Sequence, residues 1–114
     1  MQSATMESTL NDEPFAVMHV TGELDLDTQD TFEAEVADRL KGGSVVIDLS
    51  GLEFLAISSL RSLLACEQTA VLDGRRVVYA GAPMQALRLL AVSGLDGVLS
   101  VGLDLAEARE LVRR

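Results

Sequence analysis

Two adjacent serines, Ser58 and Ser59, are the residues whose type and position point most directly to chemistry. Upstream lies the apolar run Val45-Val46-Ile47-Asp48-Leu49, broken at Ser50-Gly51 and briefly resumed at Leu52-Glu53-Phe54-Leu55-Ala56-Ile57. Downstream, Leu60, Leu63 and Leu64 begin a helical spacing. The stretch reads as a buried strand, a surface loop and the start of a helix. A hydroxyl at such a junction has three roles open to it. It can cap the free N–H groups of the first turn, attack an electrophile, or accept a phosphate where the helix dipole favours negative charge.

Nucleophilic attack needs a base, and the one histidine, His19, lies inside the apolar run Phe15-Ala16-Val17-Met18-His19-Val20, where it reads as a satisfied or edge-facing strand residue. The flanks of Ser58 lack the glycines of a nucleophile elbow. Gly42-Gly43 is not followed by Lys-Ser/Thr, and Gly74 reads as a helix stop, so no phosphate-cradling loop is present. Asp25, Asp27 and Asp30 read as a solvated acidic helix start rather than a cation site. With one histidine and one cysteine the chain assembles no conventional zinc site and no internal disulfide. Cys66, near Leu63, Leu64 and Ala70, reads as a packed thiol. We therefore expect no enzyme, no cofactor and no metal. Capping and phosphate acceptance stay open for the serines.

The elements that must position them follow from periodicity. At 114 residues, 48% apolar and 24% charged, residues 1–114 are expected to form one globular domain, with residues 1–3 as a flexible tail. A net charge of −9 disfavours nucleic acid and an anionic membrane surface as partners. No apolar run approaches the roughly 20 residues of a spanning helix. Residues 1–12 are polar, without the basic and apolar regions of a targeting segment, so a reduced, cytoplasmic protein with no membrane insertion is expected. Strands are predicted at Phe15–Val20, ending at Thr21-Gly22, at Val45–Leu49, Val77–Ala80 and Val98–Val101. A weaker one near residues 4–10 would pair across an Asn11-Asp12 turn. Phe32, Val36 and Leu40 predict a helix over residues 28–41. Leu60, Leu63, Leu64 and Val71 predict another to about Asp73. Pro83, at a first helical position, opens a third whose inner face is Leu87, Leu90 and Ala91. Asp104 and Glu107 form a capping-box-like pair before a fourth. Arg75-Arg76 should sit at a helix C-terminus and favour its dipole. The alternation implies an α/β fold: a mixed β-sheet of four to five strands, partly parallel, covered by about four helices.

Three stretches together resemble a known family. Thr21-Gly22-Glu23-Leu24-Asp25 with Thr28, Val46-Ile47-Asp48-Leu49-Ser50 through Phe54 to Ser58 and Leu60, and Ser93-Gly94-Leu95 look like the STAS domain, over residues 4–113. Within it they look most like the stand-alone bacterial anti-sigma factor antagonists. The resemblance implies a binding module rather than an enzyme. In such proteins a partner anti-sigma factor, itself a serine kinase, phosphorylates a serine at the loop-to-helix junction, and the unphosphorylated form binds that partner and frees the sigma factor. Aligned on Phe54 and Leu60, the acceptor position falls on Ser58, with Ser59 as the alternative. The implied partner-binding residues are Gly22, Glu23, Asp25, Ala56, Ile57, Ser58, Ser59, Arg61 and Ser62. The chain departs from the family's Asp-Ser-Ser-Gly: Ala56 replaces the acid, Ile57 the first serine and Ser59 the glycine. The same fold also admits a second function, a non-phosphorylated cytoplasmic STAS subunit of a membrane transporter ATPase complex.

Overall fold

A computed structural model describes residues 4–9 and 14–114. The flexible tail expected at residues 1–3 and the turn expected at Asn11-Asp12 lie outside the described residues. In chain order the elements are β1 (Thr5–Thr9), β2 (Phe15–Leu24), α1 (Gln29–Leu40), β3 (Ser44–Asp48), β4 (Leu52–Leu55), α2 (Leu60–Leu72), β5 (Val77–Ala80), α3 (Met84–Ser93), β6 (Ser100–Gly102) and α4 (Leu105–Arg113). One 3₁₀ turn, Ile57–Ser59, leads into α2, and another, Leu95–Gly97, follows α3.

The strands run in the order β1-β2-β3-β5-β6, with β1 antiparallel to β2 and the rest parallel, and β4 pairs with β2 off this path. The expected mixed α/β architecture is therefore present, with six strands among the described residues against the four to five predicted. β3 and β5 read as unbroken apolar runs because both sheet faces are covered. Met18, Val20, Val45, Ile47, Val77 and Tyr79 face one way, against Phe32, Val36 and Leu40 of α1, Leu63, Cys66 and Ala70 of α2, and Ala86 and Leu90 of α3. Phe15, Val17, Val46, Val78 and Ala80 face the other way, against Ala108 and Val112 of α4.

Several boundaries and faces differ from expectation. β6 begins at Ser100, because Leu95–Gly97 coil into a 3₁₀ turn and leave Val98 exposed. Pro83 is the extended N-cap of α3 and not its first helical residue. The inner face of α3 is Ala86 and Leu90; Leu87 and Ala91 are exposed, since Gln85 also faces the sheet and rotates the helix accordingly. Val71 likewise points out of α2. The α4 start is as read: Asp104 accepts from the Glu107 amide at 2.9 Å, and the Glu107 carboxylate accepts from the Leu103 amide at 3.1 Å. Arg76 does serve a helix C-terminus, but that of α4, donating to the Leu111 carbonyl at 2.6 Å.

His19 is satisfied, as its strand position suggested: its Nδ1 lies 2.8 Å from Asp48 Oδ2, directly across the β2–β3 register. By strand alternation it shares the α4 face with Val17, so the sheet separates it from the α2 serines. Burial works to raise the Asp48 carboxyl, but hydrogen bonds from the Ser50 amide and hydroxyl and from His19 outweigh it and hold the group below its ordinary value. A lowered folded-state value stabilises the fold above the ordinary carboxylate range, and that contribution is lost as pH falls through the folded value. Asp48→Asn should therefore show a shallower loss of stability below about pH 4 than the parent, measured by urea unfolding across pH. α4 seats tightly on β6: a Cβ built on Gly102 would stand 2.9 Å from the Ala108 nitrogen and 3.1 Å from its Cα. Gly102→Ala should cost about 1–3 kcal/mol in the same assay, with an unchanged denaturant slope.

Candidate functional site

The site begins with the division of β2. Phe15 to His19 pair with β3, and Gly22 to Leu24 pair with β4, so the two strands follow one another along a single ten-residue partner. Gly22 has φ +82, a backbone conformation that favours glycine, and the register shifts there: Gly22 opposes Leu52, but Glu23 opposes Phe54. Between β3 and β4 the chain steps through Ser50-Gly51, with the Leu52 amide donating to the Leu49 carbonyl at 3.0 Å. The segment read as a surface loop is thus a bulged strand. Its extra residue Glu53 leaves Leu52 and Leu55 buried and Glu53 and Phe54 exposed, a pattern without the period of two that marks a strand.

Two devices hold the end of β4. On the β2 side, the Ala56 amide donates to the Leu24 carbonyl at 2.9 Å. On the opposite side, Gln85 of α3 grips Leu55 with both ends of its amide: Oε1 accepts from the Leu55 N–H at 2.9 Å and Nε2 donates to the Leu55 carbonyl at 2.8 Å. Nothing in the local sequence signals this clamp, because the partners are thirty residues apart. The adjoining loop is tied by Thr28, whose hydroxyl donates to the Glu23 carbonyl and accepts from the Asp25 amide, each at 3.0 Å. Asp25 Oδ1 in turn accepts from the Asp27 amide at 3.0 Å. Thr28 occupies the N-cap of α1 without a capping bond, its hydroxyl being spent on the loop.

From Ala56 the chain enters the 3₁₀ turn and then α2, and the serines part company. Ser58 is exposed, whereas Ser59 and Ser62 are fully buried. Ser59, the N-cap of α2, makes no side-chain cap bond, and the Ser58 hydroxyl has no hydrogen bond among the described residues, so capping is not the role these hydroxyls play. Ser59 Oγ instead lies 3.5 Å from Gln29 Oε1, and Ser62 Oγ donates to the Glu33 carboxylate at 2.7 Å. Of the other residues expected on a partner surface, Ile57 and Arg61 are exposed, Glu23, Asp25 and Ala56 are half-buried, and Gly22 is buried. Ser58 lines a surface depression of about 390 Å³ together with Leu26, Gln29, Ile57 and Arg61. Leu26 and Ile57 are 71% and 73% exposed, two large apolar side chains displayed at one place. Leu26 did not stand out in the sequence, since it sits between two acids where a solvated helix start was expected.

Other chemistry is closed off nearby. Burial first, and the Glu33 charge second, push the Cys66 thiol up to about 12, so it is an inert core group, as expected. Among the described residues no three His, Cys, Asp or Glu are grouped so as to hold a metal ion, and no helix is long and apolar enough to cross a membrane. Gln85→Ala removes both bonds to the Leu55 backbone and should destabilise the fold by about 1–3 kcal/mol. Hydrogen exchange should show the Leu55 amide losing more protection than the β3 amides, which would distinguish local loosening from global destabilisation.

No curated protein matches the chain in sequence. Among solved structures, TM1081 of Thermotoga maritima superposes with a TM-score of 0.85 at 20% identity, covering 96% of this chain and 95% of its own, which shows the shared fold. An anti-sigma factor antagonist from Mycobacterium paratuberculosis gives 0.81 at 28% identity, covering 98% and 96%. A serine-to-glutamate variant of RsbS from Moorella thermoacetica gives 0.74 at 25% identity, covering 95% and 94%. The family described as "Mlab, STAS domain" matches residues 10–111, which include β2, the bulged β4, the Ser58 segment and the Gln85 clamp. On that match over nearly its whole length, the chain belongs to the STAS-domain family.

Proposed function

We propose that this protein is an anti-sigma factor antagonist of the cytoplasm: it binds a serine-kinase anti-sigma factor, releases the sigma factor, and is switched off by phosphorylation of Ser58. The observation that carries this reading is one exposed hydroxyl beside two exposed apolar side chains, Leu26 and Ile57, in a single depression. The apolar pair supplies area that a protein partner would cover, and the hydroxyl supplies the point at which that cover is made unfavourable. The similarity to an anti-sigma factor antagonist at 28% identity over 98% of the chain supports the same class.

In this reading the chain performs no catalysis of its own. The Ser58 oxygen attacks the γ-phosphorus of the kinase's ATP, the new O–P bond forms as the bond to ADP breaks, and a base on the kinase takes the hydroxyl proton. The product carries about −1.5 to −2 additional charges. On an exposed residue this charge leaves the fold intact, because the Ser58 hydroxyl has no hydrogen bond among the described residues. Under a partner it must be desolvated against Leu26 and Ile57, which opposes binding. Buried Ser59 would have to leave its place beside Gln29 to be modified, which favours Ser58 as the acceptor. Ile57, where the family has a serine, adds to the apolar contact area, and Ala56 leaves recognition to its neighbours.

Capture from the native cell with this chain as bait should recover an anti-sigma factor with an ATP-binding kinase domain. Added ATP should place phosphate on Ser58, mapped by mass spectrometry. Recovery of a transporter permease and its ATPase would replace this reading with that of a transporter subunit. By calorimetry against the captured partner, Ser58→Asp should weaken binding by about tenfold or more, equivalent to about 1.4 kcal/mol, and Ser58→Ala should leave it unchanged. Equal affinities of the two variants would refute the switch.

A further inference from the structure

Arg61 lines the same depression as Ser58 and is the one charged residue among the five that do so. The chain carries eighteen acids against nine Lys and Arg, and several of the basic side chains are engaged. Arg39 pairs with Glu35 and Asp38, Lys41 with Asp38, Arg113 with Glu110, and Arg76 holds the Leu111 carbonyl. The Arg61 side chain, like those of Arg75, Arg88 and Arg114, has no hydrogen bond or ion pair among the described residues, and of these four it alone lines the depression. It follows Ser58 by three positions across the continuous run from the 3₁₀ turn into α2. Residues three apart on a helical surface are neighbours, with Cβ atoms about 5–6 Å apart, well within the length of an arginine side chain. A guanidinium presents a planar fork of donors that matches the oxygens of a phosphomonoester, whereas an unmodified hydroxyl offers it little.

We propose that Arg61 is the receptor for a phosphomonoester on Ser58, folding over the phosphate so that its guanidinium is committed there and no longer open to a partner. The proposal rests on the reading of Ser58 as the acceptor and deepens it. Modification then changes the surface twice, adding an anion and tying up a cation that the unmodified protein leaves open. The exposed Arg61 side chain has no hydrogen bond or ion pair among the described residues, so its reorientation breaks none of these.

The test places phosphoserine at position 58 by genetic encoding, so that no kinase is needed, and follows the second ionisation of the phosphate by ³¹P NMR. In the parent the titration midpoint should lie about 0.3–0.7 units below that of Arg61→Ala, the size expected of an exposed ion pair. Arg61→Lys should recover part of the shift, as a point charge without the fork, and salt near 1 M should reduce the difference. Equal midpoints for the parent and Arg61→Ala at low salt would overturn the proposal. Failure of a captured kinase to label Ser58 would instead count against the function proposed above and leave this measurement standing.

Discussion

The structure depends on one strand serving two partners in succession. β2 spends Phe15 to His19 on β3, which belongs to the core sheet, and Gly22 to Leu24 on β4, which belongs to the site. The handover requires the positive φ of Gly22 and an extra residue in β4. Because Ser58 follows β4 within a few residues, its place is set by the far end of the strand whose near end lies in the hydrophobic centre. The core therefore positions the exposed hydroxyl through backbone pairing and not through side-chain packing alone.

The layer above the sheet follows the same division. α1 and α2 meet along stripes that begin polar and turn apolar: Gln29 and Glu33 give way to Val36 and Leu40, and Ser59 and Ser62 give way to Leu63, Cys66 and Ala70. At the apolar end the contact is held by excluded water, and Tyr79 adds a fixed point by donating to the Leu63 carbonyl at 2.9 Å. At the polar end, beneath the site, two hydroxyls face two acceptors, an arrangement with directional demands that fixes the helices' relative rotation.

The parts of this design that were legible in the sequence are those with a period. Phe32, Val36 and Leu40 announced α1, the apolar runs announced β2, β3 and β5, and Asp104 with Glu107 announced α4. The signal at Thr21-Gly22 was read as a strand end when it marks a bulge, since glycine at positive φ serves both and the sequence pattern does not separate them. β4 was hidden because its bulge destroys alternation. Ser59 and Ser62 read as surface residues because a hydroxyl carries no mark of burial; only the acceptors on α1 give them a reason to be inside. The Gln85 clamp was invisible for a simpler reason: it joins residues whose spacing in the chain carries no period at all.

That clamp has a consequence for how the sheet ends. β4 has β2 as its one strand neighbour among the described residues, so the backbone of Leu55 would otherwise present an open donor and acceptor on its outer side. Such an edge is a template for the strand of another molecule, and proteins commonly blunt it with charge, proline or a covering element. Here a single glutamine amide imitates the missing strand, offering one donor and one acceptor at backbone spacing. Whether the Leu55 backbone is open to a foreign strand thus turns on one side-chain rotamer at the start of α3, and Leu55 stands three residues before the exposed Ser58.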